Sequence, residues 1–319
     1  MKKLTLLSII PLMALTACVW QSQESDDSKP EENLKIVCPT GAPAVAFYKY
    51  AAKDNFVTNS VPTNISTYFT TGDADVIVMD TTSGVQAIQK GAQYKIAATI
   101  TLGNFYLVST SEGNLELDVD DIVVLFGNSE AVPNKLFTYI YGSDYTVEYA
   151  GGGVAKAAQV LSTGTNQATG HHADWVFIAE PYLYSVKNNS NSVIYNKNVP
   201  IINIQDAYSA KAVNLPLMQA SVFIKNTVSR TVGDKFLSNL KKDIEEVITS
   251  PANVMNYMGQ GGEEQAVEAK YGVSPLVAKE VMTTNGLGLG YLNSLDNKSA
   301  IDHYLGLFGI QKTNADNIW

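Results

Sequence analysis

Ala74-Asp-Val-Ile-Val-Met-Asp-Thr-Thr-Ser-Gly84 decides how this chain folds. Its first half is a short unbroken apolar run between two aspartates, the pattern of a strand buried on both faces. Its second half holds four polar side chains and a glycine, followed by the amphipathic stretch 83–90, read as a helix with Thr81, Thr82 or Ser83 as its cap. A buried strand running straight into a helix is the unit of an α/β sheet. The unit recurs upstream in Ile36-Val-Cys-Pro-Thr-Gly-Ala-Pro-Ala-Val-Ala46, a strand over 36–38, a Gly-Pro turn and a helix over 44–53. Further strands are expected at 65–70, 94–101 and 105–110.

After a polar, acidic crossing at 111–120 the pattern restarts. Strands are expected at 121–126, 145–149 and 174–178, with helices at 133–141 and 154–162. Two copies of one pattern predict two lobes of class α/β, each a mostly parallel sheet flanked by helices. The chain then returns through an apolar strand at 220–224 to a long helix at 233–250. There Phe236, Leu237, Leu240, Ile244, Val247 and Ile248 form one stripe, and Lys241, Lys242, Asp243 and Glu245 lie outside it. Pro251 ends that helix. Helices at 263–271, 275–282 (capped by Ser274) and 300–307 form a tail expected to be all-helical and to pack on the first lobe.

The first residues have another character. Lys2-Lys3 precede an apolar run, Leu4 to Leu15, too short to span a bilayer. Leu15-Thr16-Ala17-Cys18 follows, the layout of a signal peptide ending in a lipobox-like cysteine. Residues 1–17 are thus expected to be removed and Cys18 to carry lipid, with palmitate among its acyl chains. Residues 18–33 are polar and acidic, and read as a disordered linker. Lobe 1 is expected over 34–112 plus 222–319, and lobe 2 over 113–221. Without Lys2 and Lys3, 20 basic residues face 31 acidic ones, a formal charge of −11. That charge disfavours nucleic acid as a partner. After lipidation Cys38 is the remaining thiol, so the chain forms no internal disulfide, and its apolar surroundings make it a core residue.

Ligands of open α/β sheets bind beyond the carboxyl ends of strands. Three such places stand out: Pro39-Thr-Gly-Ala-Pro-Ala44, Asp80-Thr-Thr-Ser-Gly84, and Gly127-Asn-Ser-Glu130 with Gly151-Gly-Gly153. On Ile36–Ala46, Ala74–Gly84 and Val176-Phe-Ile-Ala-Glu-Pro181, the chain resembles the extracytoplasmic solute-binding proteins of ABC importers, in the group that takes nitrate, sulfonates, taurine and thiamine pyrimidine precursors. The order of elements matches from about residue 34 to 250. The resemblance implies a periplasmic-binding-protein type II fold, a solute enclosed between lobes by hinge closure, a permease and a separate ATPase as partners, and a monomer. It implies a lipoprotein on the outer face of the cell membrane, in a Gram-positive or low-GC bacterium. It implies no cofactor and no enzymatic step. Carried over by residue, the ligand contacts are Thr40, Gly41, Ala42, Asp80, Thr81, Thr82, Ser83, Asn104, Phe105, Ser129, Gly152 and Glu180, with Tyr182 as an aromatic wall.

One departure bears on the solute. The sole arginine, Arg230, lies far along the chain from these loops, while Asp80 and Glu180 bring negative charge. An amine or an aminopyrimidine ring suits such a cleft better than nitrate does. Two alternatives stay open. His171 and His172, with Asp174 and Glu180 nearby, could hold zinc, although adjacent residues of a strand point to opposite sides. A surface lipoprotein outside transport is the other. The patterns Gly-x-Ser-x-Gly and Gly-x4-Gly-Lys-Ser/Thr are absent. Ser83 or Ser162 with His171 and Asp174 has no spacing that marks a hydrolase.

Overall fold

A computed structural model of the chain describes residues 33–50, 53–260 and 264–319. The expected leader, Cys18 and nearly all of the linker lie outside the described residues. In chain order the elements are β1 (Ile36–Pro39), α1 (Ala42–Val45), β2 (Phe56–Asn59), α2 (Pro62–Thr71), β3 (Val76–Asp80), α3 (Thr81–Gln89), β4 (Tyr94–Thr101), β5 (Phe105–Ser109), β6 (Ile122–Phe126), α4 (Val132–Tyr141), β7 (Thr146–Gly151) and α5 (Val154–Thr163). There follow β8 (Trp175–Ala179), α6 (Tyr182–Lys187), β9 (Ile201–Asn203), α7 (Ile204–Lys211), β10 (Ala220–Lys225), α8 (Arg230–Thr249), α9 (Pro251–Gln260), α10 (Glu264–Tyr271), α11 (Pro275–Thr283), β11 (Leu289–Asn293) and α12 (Lys298–Gly306).

The strands form two sheets, ordered β2-β1-β3-β10-β4-β11 and β7-β6-β8-β5-β9. Each follows one rule. Its own first three strands run parallel, and the strand arriving from the other half of the chain is inserted antiparallel before the fourth. In the first sheet that strand is β10, antiparallel to β3 and β4; in the second it is β5, antiparallel to β8 and β9. The expected first lobe, ending at 112, would have kept β5 with the first sheet. Its ladder with β8 and β9 moves the outward crossing to residues 102–104. The return crossing lies at 212–219, just ahead of β10.

Alternation along the strands sorts the core into layers. Cys38, Val76 and Val78 face a cluster with Phe47, Phe236, Leu240 and Met282. Val37 and Ile77 face the opposite layer, where Ile65, Val85, Ile301 and Tyr304 join Leu107, Val123 and Trp175 of the second sheet, Leu136 of α4 and Tyr208 of α7. Val108, Val124, Val176 and Ile178 cover a third layer under α5 and α6. The middle layer is continuous across both halves. At its edge Tyr139 of α4 and His303 of α12 share a hydrogen bond of 3.0 Å between hydroxyl and Nε2. Cys38 is buried and free, as a core residue.

Several local expectations are corrected. Residues 65–70 are helical, inside α2, because Ile65 and Phe69 are four apart and both buried, Pro62 occupies the first turn, and Gly72 closes the helix at φ 65°. The helix expected at 44–53 is only the short α1, followed by a 3-10 turn at Tyr48–Tyr50. The cap of α3 is Asp80 and not the hydroxyl residues after it. Asp243, outside the apolar stripe of α8, is still only 6% exposed and accepts from Lys49 Nζ at 2.7 Å. The tail is not all-helical, since β11 pairs with β4. Gly84 belongs to packing: a Cβ there would lie 2.1 Å from the Phe223 ring, so α3 rests directly on the first sheet. Among the described residues no helix is long and apolar enough to cross a membrane.

Candidate functional site

The carboxyl ends of strands from both sheets, with both crossings between them, enclose a cavity of about 520 Å³. That volume is in the usual range for small-molecule pockets, roughly 300–1,000 Å³. The first half supplies Thr40, Gly41 and Ala42 after β1, Ser60 after β2, and Met79, Asp80 and Ser83 around the β3–α3 junction. The second half supplies Phe126, Val132, Val154, Glu180 and Tyr182, and the crossings supply Asn104, Phe105 and Gln219. A larger hollow of about 980 Å³ lies between α2 and α3, lined by residues such as Thr67, Gln86, Lys90 and Lys225. It takes nothing from the second sheet. The interlobe cavity is the candidate site because it gathers strand ends from both.

Nine expected contacts thus meet in one wall: Thr40, Gly41, Ala42, Asp80, Ser83, Asn104, Phe105, Glu180 and Tyr182. Four do not line it. The Thr81 hydroxyl is buried against Ser221 Oγ at 2.7 Å, and Ser221 also meets Thr99 Oγ1 at 2.8 Å. The Thr82 hydroxyl donates to Asp80 Oδ1. Ser129 is exposed, its carbonyl accepting from Asn134 Nδ2 at 2.8 Å. Gly152 sits at φ 51° and its carbonyl accepts from Gly127 N–H at 3.0 Å. The first residues of the helices beyond these loops, Val132 and Val154, line the cavity instead. We expect Thr81→Ala to cost about 1 kcal/mol of stability in denaturant titration, with no change in the affinity of any cavity ligand.

Gln219 was not legible as a site residue. It pairs reciprocally with Asn104 across the two crossings. Its Nε2 donates to Asn104 Oδ1 at 3.1 Å, and Asn104 N–H donates to its Oε1 at 3.3 Å. Asn104 Nδ2 in turn donates to the Glu180 carbonyl at 2.8 Å, and the Gln219 carbonyl accepts from Thr81 N–H at 3.1 Å. The floor of the cavity is therefore one hydrogen-bonded path from the β3–α3 junction to the end of β8. Phe126 was also missed. Its ring is 6.1 Å from Phe105, which is 5.4 Å from Phe177. Tyr182 is 39% exposed.

The two carboxyls share a design. Asp80 Oδ1 accepts from Ser83 N–H at 2.9 Å, and Glu180 Oε2 from Tyr184 N–H at 2.9 Å. Each is held by the first turn of the helix that follows its strand. Burial pushes both carboxyls up. Hydrogen bonds from Thr82 and Ser83 oppose the rise at Asp80. Glu180 reaches about 7, against the pull of Tyr184 N–H and Lys187. Arg230 is elsewhere, 64% exposed, with Nε 3.1 Å from Asp234 Oδ2 and its guanidinium over the Trp319 ring.

The histidines are also apart from the cavity. His171 Nδ1 lies 2.5 Å from Glu148 Oε1, and His172 Nε2 lies 3.7 Å from Asp174 Oδ1. Burial raises the Glu148 carboxyl, but hydrogen bonds from His171, Thr169 and Asn166 outweigh it and hold it below the ordinary range. The adjacent histidines thus face different carboxylates. Among the described residues no three His, Cys, Asp or Glu side chains gather as a metal site.

Two sheets of this strand order, joined by two crossings over a shared cavity, make up the periplasmic-binding-protein type II fold. Solved structures bear this out. An ABC transporter structure from Parabacteroides distasonis is 18% identical, with 90% of this chain and 98% of that one covered at a TM-score of 0.68. The aliphatic sulphonate binding protein SsuA of Escherichia coli is 11% identical, with 86% and 91% covered at 0.58. The zinc-bound ligand-binding component of an ABC-type import system from Staphylococcus aureus is 11% identical, with 89% and 95% covered at 0.58. At these identities the likeness is one of fold. No family model matches the chain, and no curated protein sequence does.

Proposed function

We propose that the chain is the extracytoplasmic solute-binding component of an ABC import system. It captures a small organic solute between its two lobes and delivers it to a permease driven by a separate ATPase. The observation that carries this reading is the cavity itself, walled by strand ends of both sheets and floored by the two short crossings. Such a site closes when the halves rotate about the crossings. The reading is capture without chemistry, by a monomer: no histidine of the wall stands beside the hydroxyls of Thr40, Ser60 or Ser83 to activate them. Lipid on Cys18, with residues 18–33 as tether, would keep the receptor on the outer face of the membrane beside its permease. Fold neighbours that bind sulfonate or zinc support the general activity and leave the solute of this chain to its own cavity.

Native mass spectrometry of the full chain in detergent, before and after denaturing dialysis, tests the proposal. The expected result is one organic molecule released per chain. Zinc retained at one per chain and lost on His171→Ala would replace this reading with the metal one.

A further inference from the structure

We propose that the solute is a small organic cation, an amine or amidine on an apolar body, clamped between Asp80 of one half and Glu180 of the other. The inference rests on the solute-binding reading and names the class of solute. Asp80 Oδ1 and Glu180 Oε2 are the anchored oxygens, held by Ser83 and Tyr184 N–H. Asp80 is held further by the Thr82 and Ser83 hydroxyls, whereas Tyr184 N–H is the one hydrogen-bond donor to the Glu180 carboxyl among the described residues, on Oε2. Each carboxyl is thus fixed in orientation, Glu180 keeps its Oε1 free to accept, and both line the same cavity.

The rest of the wall offers an anion little. It contains no lysine, arginine or histidine. The side-chain amides of Asn104 and Gln219 already bond each other and the Glu180 carbonyl. A sulfonate would meet two carboxyls and no cation, so both would have to hold protons against it. A cation meets two carboxyls and a wall that includes the rings of Phe105, Phe126 and Tyr182, and aromatic rings attract positive charge.

The groups around the carboxyls set how binding depends on pH. Glu180 feels Tyr184 N–H and Lys187 on α6, and its own charge helps push the buried Tyr106 hydroxyl of β5 up to about 12. Burial raises the Tyr304 hydroxyl of α12, and the charge of nearby Asp80 adds to the rise. Burial pushes Glu180 up to about 7, so a cation that needs the carboxylate displaces its proton below that pH. Affinity then rises with pH, by about tenfold from pH 6 to pH 8, the change in the ionised fraction of a group at 7.

The test uses the full chain with four probes sharing one ring: benzamidine and benzylamine as cations, benzenesulfonate and benzoate as anions. Thermal shift and calorimetry read binding, and native mass spectrometry reads the charge of any released molecule. Expected are binding of a cationic probe or release of a cationic molecule, and for bound cations the rise between pH 6 and 8. Asp80→Asn and Glu180→Gln should each weaken a bound cation by about tenfold or more, in proteins that still melt cooperatively. Binding of benzenesulfonate or benzoate without the cations, or release of a neutral or anionic molecule, overturns the cation class and leaves solute capture standing. No binding of any probe, with nothing released, overturns both.

Discussion

Gly288→Ala is expected to destabilise the protein by about 4 kcal/mol or more, lowering Tm by roughly 6 °C. Gly288 sits at φ 61°, where a Cβ costs about 1 kcal/mol or more. The larger cause is contact. A Cβ there would lie 2.0 Å from the Gly103 carbonyl oxygen and 2.4 Å from its carbon. These are backbone atoms of the outward crossing, so no side chain can turn aside. Gly288 also accepts from Leu102 N–H at 2.7 Å, which ties the segment before β11 to the same crossing. Asn104 follows one residue later and holds the Glu180 carbonyl. The substitution should therefore change cavity affinity as well as stability. Gly306→Ala in α12, where a Cβ meets nothing within 4 Å, is the control and should be neutral or slightly stabilising. Equal melting of Gly288→Ala and the parent protein would show that the crossing yields freely.

Glu180→Gln is expected to stabilise the empty protein at pH 8 and leave it unchanged at pH 4. The folded carboxyl titrates at about 7, against 4.5 for an ordinary glutamate. Between those values the folded chain keeps a proton that the unfolded chain has lost. Stability contributed by Glu180 is then complete below 4.5 and falls as pH rises, until the loss is full above 7. The difference amounts to about 3 kcal/mol, or roughly 5 °C in Tm. Glutamine keeps the acceptor for Tyr184 N–H without the charge, so its melting curve should be flatter across this window. Asp80, raised in the same direction, leaves a residual slope. A Glu180→Gln protein less stable than the parent at pH 8 would mean that the folded chain stabilises the ionised carboxyl. Such a cost is what a binding site carries when its charge awaits a partner.

Legibility followed burial. The strands sandwiched between two layers, β1, β3, β4, β6, β8 and β10, read directly as apolar runs, because both faces of each must be apolar. The loops after β1, β3 and β8 could be picked out as well, since a strand end that leads into a helix is where backbone and polar side chains converge. Residues 65–70 have a composition that suits a strand, whereas the spacing of Ile65 and Phe69 and the flanking Pro62 and Gly72 specify a helix. The reading of β5 as part of the first lobe failed for another reason. It is an apolar strand like its neighbours, and nothing local states which sheet will take its hydrogen bonds.

The sequence by itself determined that apolar strands alternate with helices, that Asp80, Glu180 and the Thr40 loop lie at strand ends, and that the one arginine is remote from all three. Each follows from periodicity or position along the chain. Only the tertiary structure decided that β5 and β10 exchange sheets. It also turned Thr81 and Thr82 away from the cavity, joined Gln219 to Asn104, and brought two helix-anchored carboxyls from different halves into one wall. Those facts are pairings between residues distant in sequence, set by how the layers pack, and no local pattern encodes them.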